Sequence, residues 1–412
     1  MTYYRFNNFN CSAEDPTWPR VLQKAYEEGV RPLCLCTRSE DPPVMYIAKF
    51  RDQYVLKRMP NSGAKHFADC EHYEPPPELS GLGQVQGSAI RSASDGSETL
   101  LSLDFALSKG RSRVMSDTGE TEHESVRNDG TKLTLRALLH YLYDQSGLAR
   151  WSPAMKGKRS WFIVQRELLS AAHDKKAKGA YLSELIYIPE PFFSDKAHDI
   201  KRRQLAMLLP LSSSPSKRMI VIGEVKSIEA SRFGYKLYLK HAPDLPLMVN
   251  NELFKRIAKV FSGQLILWDQ LELSHLLMVG TVSRSLEGIY SVETLCVMNV
   301  NEHWIPFDNM YELELLNALH STDRKFAKGL RYNLRSDEPL ASAVLQDVLG
   351  NPTALFVVPE GVDDAFDAVK LVMEEQEQMG VWMWYTGRDP MPALPIRGHG
   401  GNAPVHPTPS AG

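Results

Sequence analysis

The chain is poor in cysteine, with five among 412 residues, and the odd count excludes a framework built only of paired disulfides. It has no uncharged apolar run near the length of a membrane span, and its start, Met1-Thr2-Tyr3-Tyr4-Arg5-Phe6, lacks the basic and apolar regions of a secretory signal. We therefore expect a cytoplasmic protein. No charge of one sign dominates: the formal net charge is -3, so binding to nucleic acid would have to come from local basic clusters and not from a whole-chain field. No internal repeat occurs. Nor is there a Gly-x4-Gly-Lys-Ser/Thr pattern, which excludes P-loop nucleotide hydrolysis. With 43% hydrophobic and 24% charged residues, the composition is that of an ordinary globular protein long enough for two or three domains.

The scarce cysteines are concentrated where they can act together. Cys34-Leu35-Cys36 and His66-Phe67-Ala68-Asp69-Cys70 flank two strand-like runs, Val44 to Phe50 and Tyr54 to Met59, joined by the polar turn Arg51-Asp52-Gln53. A hairpin there returns the chain to its start, and the i, i+4 spacing of His66 and Cys70 suits one face of a helical turn. The pattern predicts a Cys3His zinc knuckle with ligands Cys34, Cys36, His66 and Cys70, and with His72 in reserve. Four protein ligands leave no position for a reacting water, so the zinc would be structural. The alternative is three thiols that serve as small core hydrophobes.

Elsewhere the periodicity predicts an α+β chain of several units: a zinc-knuckle domain over 1–78, a flexible linker with one possible strand over 79–130, a helical pair plus β-rich middle over 131–300, an α/β domain over 301–396, and a disordered tail over 397–412. Within the first unit, Val21, Leu22 and Ala25 mark the inner side of a helix. In the linker, residues 99–108 form the possible strand, and 112–130 are polar and without period, which predicts mobility. The helical pair shows Leu133, Leu135, Leu138, Leu139 and Leu142 on one element, and Trp161, Val164, Leu168 and Leu169 on the next. Between them, Lys156, Lys158 and Arg159 form a basic turn ahead of a helix, a candidate phosphate contact that competes with a plain solvated turn. The middle reads as strands at 182–188, 219–230, 235–241, 276–282 and 291–300, with a helix at 252–260. A further helix at 309–320 turns Met310, Leu313, Leu316 and Leu319 inward.

Glu224-Val225-Lys226 offers a Glu-x-Lys on a strand. Alternate residues share a strand face, as a metal-dependent nuclease needs, although this pair also arises often by chance. Asp195 and Asp199 are the upstream acids that could complete such a site.

Trp304-Ile305-Pro306, the helix with Glu312 and Glu314, the run Arg324 to Tyr332, and the strands that follow resemble the core of PD-(D/E)XK nucleases over 304–396. The resemblance implies a restriction-endonuclease-like α/β domain. It puts Ser342, Phe356 and Val358 where that family has its Asp, Glu and Lys, so this copy would not cut, and Asp347 alone cannot hold the divalent ion. Over its whole length, on its paired-ligand N-terminus, Leu138-Leu139-His140-Tyr141-Leu142, Trp151-Ser152-Pro153 and Arg159-Ser160-Trp161, the chain resembles a bacterial family labelled domain of unknown function 1173, whose members look like cargo of plasmids and integrative elements. Together these readings lead us to expect a non-catalytic protein that binds or scaffolds nucleic acid, chiefly DNA, in the processing of mobile elements. The alternatives are a metal-dependent nuclease using Glu224 and Lys226, and a protein-protein adaptor that docks through the zinc knuckle.

Overall fold

The apolar runs of the middle segment are continuous because both faces of their strands are covered. In Met219-Ile220-Val221-Ile222, Met219 and Val221 join one buried cluster, while Ile220 and Ile222 join another. Leu276 and Met278 divide from Leu277 and Val279 in the same way. A period of two buried on both sides reads as an unbroken hydrophobic string. The computed structural model in which this is seen describes residues 2–37, 39–50, 53–93, 98–108, 130–376 and 379–398. Among them are ten α-helices and five sheets in a mixed α+β arrangement, and no helix is long and apolar enough to cross a membrane.

The middle strands close on themselves. Arg218–Ser231 pairs with Gly234–Leu239, which pairs with Ala242–Val249; this runs parallel beside Tyr290–Val300, then His275–Arg284, which returns to Arg218–Ser231. The first strand serves both neighbours by length: residues 218–224 pair on one side and 225–231 on the other, with a register shift between Val225 and Ser227 that bends it. The result is a five-stranded barrel whose third and fourth strands are linked by helices Asn251–Val260 and Ser262–Gln270. Its inside is filled by Leu237, Leu239, Leu247, Val249 and their partners. On the outside, one arc is covered by helices Leu135–Gln145 and Trp161–Ala172.

The C-terminal sheet has the order Gly380–Tyr385, Thr353–Val358, Ala343–Leu345, Phe326–Lys328 and Arg150–Trp151. Helix Asp363–Gln376 lies against the face bearing Ala354, Phe356 and Val358, and helix Met310–Ser321 against the face bearing Leu355 and Val357. Strand Arg150–Trp151 comes from the helical pair, and Arg136 donates to the carbonyls of Tyr332 and Leu334, so contacts cross the expected boundary at residue 300.

Several expectations change. Residues 182–188 are a short helix, Leu182–Leu185, before a two-residue strand, because Leu182 and Leu185 turn inward at helical spacing. The stretch 79–103 is not bare linker: helix Leu82–Val85 and strands Ile90–Ser92 and Thr99–Leu101 join the main core through Leu82, Val85, Ile90 and Leu101. Expected mobility over 112–129, the turn residues Arg51 and Asp52, and the tail from 399 lie outside the described residues. Met310, expected inward, is exposed at the first position of its helix. Two N-terminal strands, Tyr3–Phe6 and Phe9–Ser12, were not foreseen.

Candidate metal centre

The N-terminal hairpin organises the centre. Strand Tyr3–Phe6 pairs with Leu33–Cys34 and holds Cys34 opposite Tyr4, while hairpin Met45–Phe50/Gln53–Arg58 carries the chain out and back. After it comes a one-turn 3-10 helix, Gly63–Lys65, where glycine is required because a Cβ would meet the Glu74 Cβ at 2.2 Å. His66 and Cys70 follow on a tight turn closed by the Cys70 amide donating to the Phe67 carbonyl, at 2.8 Å. This corrects the expected helical turn: the i, i+4 pair converges through a reverse turn, since the preceding 3-10 helix already ends at extended His66.

The four donor atoms of Cys34, Cys36, His66 and Cys70 lie within 4.8 Å of one another and could hold a metal ion. Cys34 Sγ and Cys70 Sγ are 3.8 Å apart, and His66 Nδ1 is 3.5 Å from Cys36 Sγ and 3.7 Å from Cys70 Sγ. Tetrahedral zinc, with bonds of about 2.3 Å to sulfur and 2.0–2.1 Å to nitrogen, demands roughly 3.8 Å between sulfurs and roughly 3.5 Å from sulfur to nitrogen. The observed edges fit. The amides of Phe67 and His72 each donate to a cluster sulfur, Cys36 and Cys70 respectively, at 3.4 Å, which favours thiolate character. Hydrogen bonds with the neighbouring thiols hold the Cys36 thiol far below its usual range and push Cys34 far above it. Metal binding requires thiolates, so an ion here would displace the protons that these bonds share. His72 is not a ligand: its Nε2 lies 2.8 Å from the Tyr4 hydroxyl, and burial lowers its pKa to about 3.

The Glu224–Lys226 pair does not form a site. The register shift at Val225 breaks the shared face, so Glu224 is buried while Lys226 is exposed. Glu224 is instead gripped by His275 Nδ1 at 2.7 Å, Lys240 at 3.0 Å and His241 Nε2 at 3.3 Å. Both imidazoles are stacked, His241 on Trp161 and His275 on Trp304. Burial alone would raise the Glu224 pKa; these three donors outweigh it and hold the carboxyl well below the usual range. Asp195 and Asp199 are exposed, with Asp199 on Arg202, and neither contacts Glu224 among the described interactions.

The basic turn also divides. Lys156 and Lys158 are exposed, but Arg159 is largely buried, donates to the carbonyls of Leu148, His303 and Arg150, and lies over the Trp151 ring. It staples the loop and is not a phosphate contact; burial lowers its pKa to about 10. In the C-terminal sheet, Ser342, Phe356 and Val358 are buried, and Asp347 accepts from Arg324 Nε and the Lys325 amide, both at 3.0 Å. Trp382 and Trp384 are core residues whose indoles donate to the carbonyls of Ala393 and Asp389.

Two features were missed. One is the turn Arg232-Phe233 between the first two barrel strands, where Phe233 is 76% exposed beneath the Arg232 guanidinium. The sequence signal was there, an aromatic and an arginine in a two-residue turn between strands. The other is a group of half-buried and buried cations at 57, 58, 150 and 175, which no local pattern unites.

A family model described as Protein of unknown function (DUF1173) matches residues 4–387. No curated protein and no solved structure matches the chain.

Proposed function

We propose that this chain, which belongs to the DUF1173 family, is a zinc-stabilised nucleic-acid-binding protein that holds its ligand without cutting it. The observation that carries the reading is the barrel: five strands closed by the first and fourth, a parallel contact between third and fifth, and helices between third and fourth. This is the topology of the OB-fold, which takes oligonucleotides on its second and third strands and the adjoining loops. Fold alone does not assign function, so the surface must supply the argument. On that face, Lys236 and Tyr238 point away from the buried Leu237 and Leu239, and Arg232 and Phe233 cap the adjoining turn. On the loop after the fourth strand, Leu286 and Ile289 are exposed beside Arg284 stacked on Tyr290. Aromatic faces among cations are what a single strand needs for stacking and backbone neutralisation.

The C-terminal unit supports the non-cutting half of the reading. Its order of helix, three-stranded meander, helix and parallel strand suits the nuclease resemblance in outline, with buried apolar side chains where metal ligands would stand. Zinc is the ion that the closed Cys3His set selects, since thiolates with one imidazole at tetrahedral spacing leave no site for catalysis. Free thiolates of this kind suit the cytoplasm, and the family resemblance suits scaffolding of mobile-element DNA. Fluorescence anisotropy with labelled single-stranded and duplex oligonucleotides, over a salt series, tests the proposal. We expect saturable, salt-sensitive single-strand binding that Phe233→Ala weakens about tenfold, the loss of one stacked base. No retention of either nucleic acid at low salt overturns it.

A further inference from the structure

The half-buried and buried cations not foreseen from the sequence converge on one cleft. It has a volume of about 360 Å³ and lies between the knuckle hairpin and helices Leu135–Gln145 and Trp161–Ala172. Lys57 and Arg58 come from the hairpin, Arg150 from the short strand after the first helix, and Lys175 from strand Lys175–Ala177 just after the second. Nothing in the barrel argument uses them.

Their charges do not balance. Asp174 accepts from Lys57 at 3.3 Å and Lys175 at 2.6 Å, and Glu74 accepts from Arg58 at 2.5 Å. Arg150 is left over: its Nη1 donates to the Glu71 carbonyl, while its Nη2 is buried with no hydrogen bond and approaches Glu74 only to 3.9 Å. Glu167 also lines the cleft but is paired with Arg166 outside it, so the four cations are left with three nearby carboxylates, Glu74, Asp174 and Asp144, the last accepting from the Tyr332 hydroxyl. An acceptor is also unsatisfied: Gln86 Oε1 is buried without a partner while its amide donates to Asn61. A donor with surplus positive charge and a neutral acceptor thus line one cleft of ligand size, a combination that native interiors do not leave open without a reason.

We infer that this cleft binds a small organic phosphate of about mononucleotide size, with its phosphate on Arg150 and Lys57 and a hydroxyl or amino group on Gln86. Guanidinium matches phosphate with paired N–H donors, and the ammonium of Lys57, one-quarter exposed, stands where the cleft opens. Tyr46, Met59 and Leu82 also line the cleft and offer flat or apolar surface to the rest of the molecule, with the Tyr46 hydroxyl held by Asp174. A duplex cannot enter a space of this volume, so the site is separate from the barrel surface and stands or falls without it.

The test is calorimetric titration of the full-length, zinc-loaded protein with AMP, UMP, glucose 6-phosphate and inorganic phosphate, with adenosine as the uncharged control. We expect one saturable site per chain for at least one of the phosphate esters, with adenosine binding at least about tenfold more weakly than AMP where AMP binds, as loss of a charge-assisted contact implies. Arg150→Gln and Lys57→Gln should each weaken the ester by about tenfold or more. Circular dichroism identifies a variant that fails to fold, and should Arg150→Gln do so, Lys57→Gln at the cleft mouth decides. Absence of saturable binding for all three esters overturns the inference and leaves the cleft to water; so does undiminished binding by folded Lys57→Gln, or adenosine binding as tightly as AMP.

Discussion

The knuckle at the N-terminus and the α/β layer at the C-terminus are two small sheet-and-helix units held by opposite means. The knuckle has a modest core, Tyr4, Phe6, Leu22, Met45 and Tyr73 among its members, with the thiols Cys34 and Cys70 inside it. Its hairpin brings together four donors that could hold a metal ion, and a core of this size would gain from such a staple. The C-terminal layer needs none. Its central strand Thr353–Val358 is buried at every position, with Phe356 edge-on to Phe366 on one side and Leu355 against the Trp382 cluster on the other. In one unit a cluster of polar donors sits inside a small core; in the other, Phe356 and Val358 fill the sheet's inner face with apolar packing alone. Donor chemistry can therefore stand in for packing where a core is small.

The strongest way to break this contrast is to remove a ligand. Cys70→Ser should abolish the bound zinc and the hydrogen-exchange protection of residues 2–74, while leaving the C-terminal sheet protected. Structural zinc contributes roughly 10–16 kcal/mol of folding free energy in small modules, far above any single apolar contact. Metal analysis that finds no zinc in the intact protein, or an N-terminus that keeps its protection in the variant, would undo the knuckle half of the comparison.

Next in size is Phe356→Ala, which should cost about 3–5 kcal/mol in denaturant unfolding, because it empties a closed core position. Were Phe356 part of a vestigial metal pocket, truncation would be mild. The companion measurement is magnesium- or manganese-dependent cleavage by the full chain, which we expect neither in the native protein nor in Asp347→Ala, since Asp347 is committed to Arg324 and a backbone amide.

Between the two extremes stands Glu224, a polar cluster inside a packed unit. Glu224→Gln should lower stability by about 1.5–3 kcal/mol at neutral pH through loss of charge-assisted bonds. The sign of its pH dependence follows from a folded pKa held below the ordinary carboxylate value: the contribution is complete above about pH 4.3 and fades as pH falls through the lower folded value. Urea unfolding from pH 7 to pH 2.5 should therefore show the native protein losing its advantage over Glu224→Gln only below about pH 4. An advantage already gone at pH 6 would show that Glu224 is not held ionised by these donors.

The smallest effect concerns the basic turn. Replacing Lys156 and Lys158 by Ala should leave stability within about 0.5 kcal/mol, as exposed substitutions do. If both meet phosphates, the salt slope of single-strand binding should fall by about 1.4; an unchanged slope makes them a solvated turn. Arg159→Ala should instead lower the melting temperature, because its guanidinium caps backbone carbonyls.

Much of the secondary structure was legible. Helix Trp161–Ala172 and strands Arg218–Ser231, His275–Arg284 and Tyr290–Val300 stand close to where periodicity put them, because each satisfies its own backbone and shows a buried face of regular period. The meeting of Cys34, Cys36, His66 and Cys70 was legible for a related reason: cysteine and histidine are scarce, and a hairpin between two pairs fixes their meeting by short-range geometry. What was not legible is long-range closure. Nothing local says that Arg218 to Glu224 will pair with residues 277–283 and the same strand's other half with Gly234–Leu239, or that Arg150 will join a sheet formed by residues 326–385.

By itself, then, the sequence determined the elements and the donor set, since propensity, periodicity and ligand chemistry act over a few residues. Tertiary structure alone decided that Glu224 belongs to two histidines and not to Lys226, that Arg159 is a staple, and that Lys57, Arg58, Arg150 and Lys175 share one cleft. Those outcomes depend on which strands become neighbours and on one register shift at Val225. Pairing across a hundred residues is set by the sum of many apolar contacts, and no single side chain carries its record.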